Sequence, residues 1–250
     1  MYTLKKSLGQ HFLRDEAICK QIVQALPVSP GMQLLEIGPG AGAISRYLAE
    51  IPGVDYRAVE VDAEKIAYLR QHYPALEGKL ILGDILETVP PFDGLFSVIG
   101  NFPYNISSQI LFRILEWKTR VPCMVGMFQR EVARRIAAGP GGKDYGILSV
   151  LLQAFYRVEY LFEVEPKAFE PPPKVMSAVI RLHYLGNPYM ITDEKRFFRL
   201  VKAAFGQRRK MLRNPLKPFF EKTVLEEPVL SKRAEQLSVR EFVDLSKRMI

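Results

Sequence analysis

The sequence predicts an α/β fold, a mostly parallel sheet with helices on both faces, followed by a small, basic, all-helical segment. Three observations carry this. Short apolar runs alternate with amphipathic runs along most of the chain, a glycine-rich turn follows the first of those runs, and the basic excess is confined to the end. With 250 residues, 48% of them hydrophobic, there is enough apolar material for one large domain, or a large and a small one. Disordered and fibrous classes are excluded.

Residues 34–37 form a short apolar run ended by Gly38-Pro39-Gly40-Ala41-Gly42, and residues 43–50 then show helical spacing through Ile44, Tyr47 and Leu48. This predicts a strand, a glycine turn and a helix. Residues 56–61 read as a second strand, 63–72 as a helix, 80–82 as a third strand and 95–99 as a fourth. A helix over 106–117 places Ile106, Ile110, Leu111, Ile114 and Leu115 on one face, and 123–127 is a further buried strand before a basic helix over 130–138. Alternation of this kind implies a parallel sheet covered on both sides. Residues 147–155 read as helical, and 157–164 with 177–184 as a closing β pair. Between them, Phe169-Glu170-Pro171-Pro172-Pro173 is neither helix nor central strand, because prolines lack the amide donor. Gly186-Asn187-Pro188 breaks the pattern, and helices are expected over 195–205, 211–221, 231–236 and 239–249. The expected division is therefore a body of residues 1–186 and a helical segment of residues 187–250.

The net charge is +8, and residues 181–250 carry 16 basic and 8 acidic side chains, which accounts for all of it. A polyanion-contacting appendage on a neutral body fits this distribution, with nucleic acid the first candidate partner. Cys19 and Cys123 stand alone, without metal-ligand spacing or a disulfide framework, so no metal is expected and both read as reduced thiols. The first 13 residues lack a signal-peptide apolar run, and no stretch approaches the roughly 18 apolar residues of a membrane helix. A soluble, cytoplasmic protein is expected.

The chemistry gathers at the ends of the predicted strands. The loop of Gly38, Gly40 and Gly42 lets a ligand approach the backbone where open α/β folds bind cofactors. Its GxGxG spacing, with Pro39 inside, argues against the pyrophosphate cradle of dinucleotide-binding folds. Glu60, near the end of the second strand, can accept both hydroxyls of a ribose, and Asp84, after the third, can accept from an adenine amino group. Any one of these carboxylates is ordinarily a solvated strand end; together with the loop they describe an adenosine-shaped site. Asn101-Phe102-Pro103-Tyr104 follows the fourth strand. An exocyclic amine on a nucleobase is a poor nucleophile until acceptors draw its N–H groups aside and localise the lone pair, and the Asn101 side-chain oxygen with a backbone carbonyl of the Phe102-Pro103 turn supplies such acceptors. Tyr104 offers a ring for stacking, worth about 1–3 kcal/mol.

Five segments then add up: Lys6-Ser7-Leu8-Gly9-Gln10-His11-Phe12-Leu13, Glu36-Ile37-Gly38-Pro39-Gly40, Asn101-Phe102-Pro103-Tyr104-Asn105, Phe169-Glu170-Pro171-Pro172-Pro173-Lys174-Val175 and Phe205-Gly206-Gln207-Arg208-Arg209-Lys210. In this order the chain resembles the small-subunit ribosomal RNA adenine N6,N6-dimethyltransferase family. The resemblance implies a class I, Rossmann-like methyltransferase core using S-adenosylmethionine (SAM) as methyl donor. It also implies two adjacent adenines in the 3′-terminal hairpin loop of small-subunit (16S) rRNA as targets during ribosome biogenesis, with rRNA or an immature small subunit as partner, and a monomer. Residue by residue, it puts SAM contacts on His11, Leu13, Gly38, Glu60, Asp84 and Asn101, and target-base contacts on Asn101, Tyr104 and Phe169. A ring at Phe169, held by stiff prolines opposite Tyr104, would complete a sandwich for an extruded base. His11 stands where many members have Asn, Phe102 where Leu is frequent, and Met176 where Asp is common.

For phosphate contact the candidates are Arg134, on the basic helix, and Arg208, Arg209, Lys210 and Arg213, beside the charge excess. Three rival readings remain in view: a methyltransferase that modifies one adenine of large-subunit rRNA, a ribosome-assembly or transcription factor that only binds, and a nicotinamide dehydrogenase. The last fails on loop spacing, on Asn-Phe-Pro-Tyr and on charge.

Overall fold

The computed structural model describes residues 11–250, so the Lys6 to Gln10 part of the N-terminal segment lies outside the described residues. The elements are β1 (Phe12–Leu13), α1 (Glu16–Gln24), β2 (Gln33–Ile37), α2 (Ser45–Leu48), β3 (Asp55–Glu60), α3 (Ala63–His72), β4 (Leu80–Leu82), β5 (Phe96–Asn101), α4 (Ser107–Glu116), β6 (Cys123–Gln129), α5 (Arg130–Ala137), α6 (Ile147–Gln153), β7 (Tyr156–Val164), β8 (Phe169–Glu170), β9 (Ser177–Tyr184), α7 (Glu194–Gly206), α8 (Lys222–Leu225) and α9 (Val239–Lys247).

Seven strands form one sheet in the order β4-β3-β2-β5-β6-β9-β7. β4 to β6 pair in parallel, and β9 joins β6 antiparallel, with Cys123 opposite His183 and Gln129 opposite Ser177. Leu34, Leu35, Val98, Ile99, Met124 and Val125 are completely buried, which is why the central strands read as continuous apolar runs rather than as alternation. From β2 the chain builds outward through β3 and β4, then returns to place β5 on the other side of β2. That reversal leaves a crevice at the carboxyl ends of β2 and β5, where open sheets of this type bind ligands.

The chain divides into two compact units: residues up to 133 with 159–184, and residues 134–158 with 185–250. It leaves the first unit at Tyr184, beside the expected boundary, but residues 134–158, assigned by sequence to the body, cluster with the C-terminal segment. The reason is composition. α6 is apolar nearly all round, burying Val150, Leu151 and Leu152, and it packs on α7 and α9. In the second unit, Asp193 caps α7 by accepting from the Arg196 amide, and Ser238 and Glu241 form a reciprocal capping box at the start of α9. Phe197, Leu200, Val201, Leu212, Leu216, Phe242 and Val243 form its core.

Three helix expectations need correction. The helix over 43–50 shrinks to Ser45–Leu48, squeezed between the glycine loop and Pro52-Gly53. Residues 211–221 form turns and a single 3-10 turn at Lys217–Phe219, because Pro215 and Pro218 withdraw amide donors from any continuous helix. Residues 231–236 reduce to a 3-10 turn at Ala234–Gln236. Two helices were not anticipated, the short α8 and α1. Asp15 caps α1 by accepting from the Ala17 and Ile18 amides, and Cys19 and Ile22 bury its apolar stripe. Among the described residues, no helix is long and apolar enough to cross a membrane.

Candidate active site

At the end of β2 the backbone takes positive φ at Gly38 (71°) and Gly40 (56°), a region L side chains avoid. A Cβ on Gly40 would also stand 3.1 Å from the Phe12 ring, so the loop lies tight against β1. Glu60, buried at the end of β3, accepts from the Gly40 amide at 3.1 Å and from the Asp62 amide at 3.0 Å, tying the loop to the neighbouring strand. Burial raises its pKa while these amide bonds oppose the shift. Asp84 follows β4 and is exposed; one carboxylate oxygen accepts from the Leu86 amide at 2.9 Å.

The Asn101-Phe102-Pro103-Tyr104 turn hangs from the end of β5 by a buried peg. The Phe102 ring fills a slot that exists because Gly100 and Gly126 have no side chains: a Cβ on them would approach the ring to 2.6 Å and 2.3 Å. Asn101 donates from Nδ2 to the His11 carbonyl at 3.1 Å, which fixes the amide orientation and turns its oxygen to the role of acceptor. The Tyr104 hydroxyl and the Ser177 hydroxyl are 2.5 Å apart, and the His11 ring stacks on the Tyr104 ring at 5.6 Å between centroids. Burial raises the Tyr104 pKa, so the phenol is neutral.

One cavity gathers His11, Leu13, Gly38, Glu60, Asp84, Asn101 and Tyr104. Among the described residues lining it, the acidic side chains are Glu36, Glu60 and Asp84, and there is no lysine or arginine. Among these described residues a pyrophosphate or triphosphate would find no lysine or arginine to pair with. A nucleoside with a net positive charge fits, and SAM is one: its ribose hydroxyls and adenine amine suit carboxylate acceptors, and its sulfonium suits an acidic lining.

A family model described as ribosomal RNA adenine dimethylase matches residues 1–250. The chain belongs to this family. The ribosomal RNA small subunit methyltransferase A of Parabacteroides distasonis is 50% identical over 246 residues, covering 97% of this chain and 92% of that one. Among solved structures, a dimethyladenosine transferase from Plasmodium falciparum superposes with a TM-score of 0.79 at 23% identity, covering 96% of this chain and 99% of that one, a likeness of fold. The 23S rRNA methyltransferase ErmE has a TM-score of 0.69 at 26% identity over 93% of this chain and 99% of that one.

For a dimethylase of this family, Phe169 stands in an unexpected place. It does not line the cavity; it is buried in the core with Leu13, Val164, Ala168 and Val179. β8 pairs with β1, and Phe169 stands opposite Leu13 in that register. Arg208 is half-exposed and has partners within the second unit. Its guanidinium is held by Glu235 at 3.8 Å and by the Gly142 carbonyl at 3.2 Å, so it ties the second unit together. Arg209 and Lys210 are exposed, as are Arg134 and Arg213, the last of which reaches the Met211 sulfur at 3.1 Å. Arg134 falls in the same unit as the others.

Two site residues escaped the sequence reading. Ser177, fully buried at the start of β9, orients Tyr104 and sits in a proline-rich context that gave no hint of it. Glu36 was visible in the glycine motif but was given no role; in the fold it lines the cavity and is buried.

Proposed function

We propose that the protein dimethylates N6 of two adjacent adenines in the 3′-terminal hairpin loop of small-subunit rRNA, acting in the cytoplasm as a monomer on an immature small subunit. SAM supplies an electrophilic methyl carbon on a sulfonium. Glu60 and Asp84 hold the nucleoside part of the donor, with Gly38, His11 and Leu13 shaping the pocket around it. Asn101 Oδ1 accepts from the target amine and frees its lone pair for in-line attack, and Tyr104 stacks on the base. As the carbon–nitrogen bond forms and the carbon–sulfur electron pair stays on sulfur, the cationic product amine loses its proton to water. No general base is needed.

The observation that carries this reading is the Asn101 amide, which lines the cavity and is tied through Nδ2 to the His11 carbonyl, with Oδ1 as its one acceptor atom. Asn101→Ala is expected to keep SAM affinity within a few-fold of wild type while cutting methyl transfer by about 100-fold or more, the scale of removing a preorganised polar group from a reacting centre. Equal turnover by the two proteins would remove Asn101 from the mechanism. The proposed partner of Tyr104 in holding the extruded base is Phe169, on β8, which pairs with β1 next to the cavity-lining Leu13.

A further inference from the structure

Glu60 and Asp84 anchor backbone amides, but Glu36 is held by side chains. The Tyr56 hydroxyl donates a hydrogen bond to its carboxyl, and the fully buried Ser45 hydroxyl faces the same group. Glu36 is 1% exposed yet lines the cavity, where β2 runs into the glycine loop. The polar groups facing it are Tyr56 and Glu60 from β3 and Ser45 from α2; on the other side, β5 presents Ile99 as its register partner. None of these is a cation, and Glu60 adds a like charge.

We propose that the Glu36–Tyr56 pair is a proton-linked charge sensor through which the site prefers the cationic methyl donor to its neutral thioether product, S-adenosylhomocysteine (SAH). This rests on the reading of the cavity as the donor site. A buried carboxyl beside another carboxyl favours its neutral form, and burial pushes the Glu36 pKa up to about 7. A positive charge entering the cavity favours the carboxylate, so donor binding near neutral pH expels the Glu36 proton to water. The product carries one positive charge fewer and expels less. Linkage requires the converse: an ionised Glu36 strengthens donor binding relative to product binding, so preference for the donor rises with pH. Tyr56 holds its own proton well beyond this range, since burial and the adjacent carboxyl raise its pKa. It therefore remains the donor that supports the carboxylate.

The test is calorimetric binding of SAM and SAH to the full chain from pH 6 to 8, in buffers of different ionisation enthalpy so that proton release is counted. In wild type the ratio Kd(SAH)/Kd(SAM) is expected to rise about tenfold more than in Glu36→Gln, the equivalent of one pKa unit. The α-amine of the ligands titrates near pH 8, and comparison with Glu36→Gln removes that contribution. Tyr56→Phe keeps the carboxyl but removes its hydrogen-bond donor, and should move the rise to higher pH. Superimposable pH curves for wild type and both variants would overturn the sensor; if Glu36→Gln does not fold, the position of the Tyr56→Phe curve decides alone. Glu60→Ala separates the two levels of the argument. Weakened binding of both ligands upholds the cavity as donor site whatever Glu36 does, and unchanged binding of both overturns cavity and sensor together.

Discussion

Among the described residues lining the cavity at the ends of β2, β3, β4 and β5 there are three carboxyl side chains and no lysine or arginine, whereas residues 181–250 carry 16 basic side chains against 8 acidic ones. Such a segregation suits an enzyme whose two substrates have opposite charge. A cation is sorted in a small acidic pocket by hydrogen bonds and burial, and a polyanion is attracted to a solvated basic surface by long-range field. The two regions should then respond differently to salt, to pH and to substitution.

The largest separation is expected from Asn101→Ala, which removes catalysis while leaving both binding functions. Next in size is neutralisation of the basic side. Arg209→Gln with Lys210→Gln is expected to weaken RNA binding at moderate salt by about tenfold and to lower the slope of log K against log salt by about one to two, without changing SAM affinity. An unchanged slope would move the phosphate contacts elsewhere. Arg208→Gln should instead act mainly on stability, because its guanidinium is engaged by Glu235 and the Gly142 carbonyl.

On the acidic side the expected effect concerns stability. The carboxyl of Glu36 has its pKa raised from 4.5 to about 7 in the fold, so the folded protein holds a proton that the unfolded chain releases between those values. Folded stability from this group is therefore full below pH 4.5, is lost as pH rises to about 7 and does not return above it. Without ligand, Glu36→Gln is expected to gain on wild type by roughly 1–3 kcal/mol between pH 4.5 and pH 8 in urea denaturation. Parallel pH profiles for the two proteins would show that Glu36 does not titrate there. The gain would identify Glu36 as a group kept at a cost to stability, as donor recognition requires.

The same contrast explains what the sequence could convey. Glu60, Asp84 and Asn101 were legible because each closes a short apolar run, and strand ends in a parallel sheet come together at one edge. The glycine loop was legible through φ values that only glycine adopts easily. Glu36 was not, because what makes it unusual is its surroundings, Tyr56 and Ser45 arriving from other elements to bury it. The burial of Phe169 likewise depends on partners distant in sequence, with Leu13 opposite it across the β1–β8 pair. On the basic side the charge count survived the folding, but residues 211–221 were expected to be a helix although Pro215 and Pro218 deny it amide donors. The affiliation of α6 with the C-terminal segment depends on which neighbours cover a largely apolar helix, and spacing along the chain does not report that.

Transfer of labelled methyl from SAM to undermethylated small ribosomal subunits, run in parallel with large subunits and with products digested to nucleosides, tests the central claim most directly. Dimethyladenosine from the 3′-terminal hairpin of small-subunit rRNA alone, absent with Asn101→Ala, is the predicted result. Label on large-subunit RNA, or none on either subunit while SAM still binds, would contradict it.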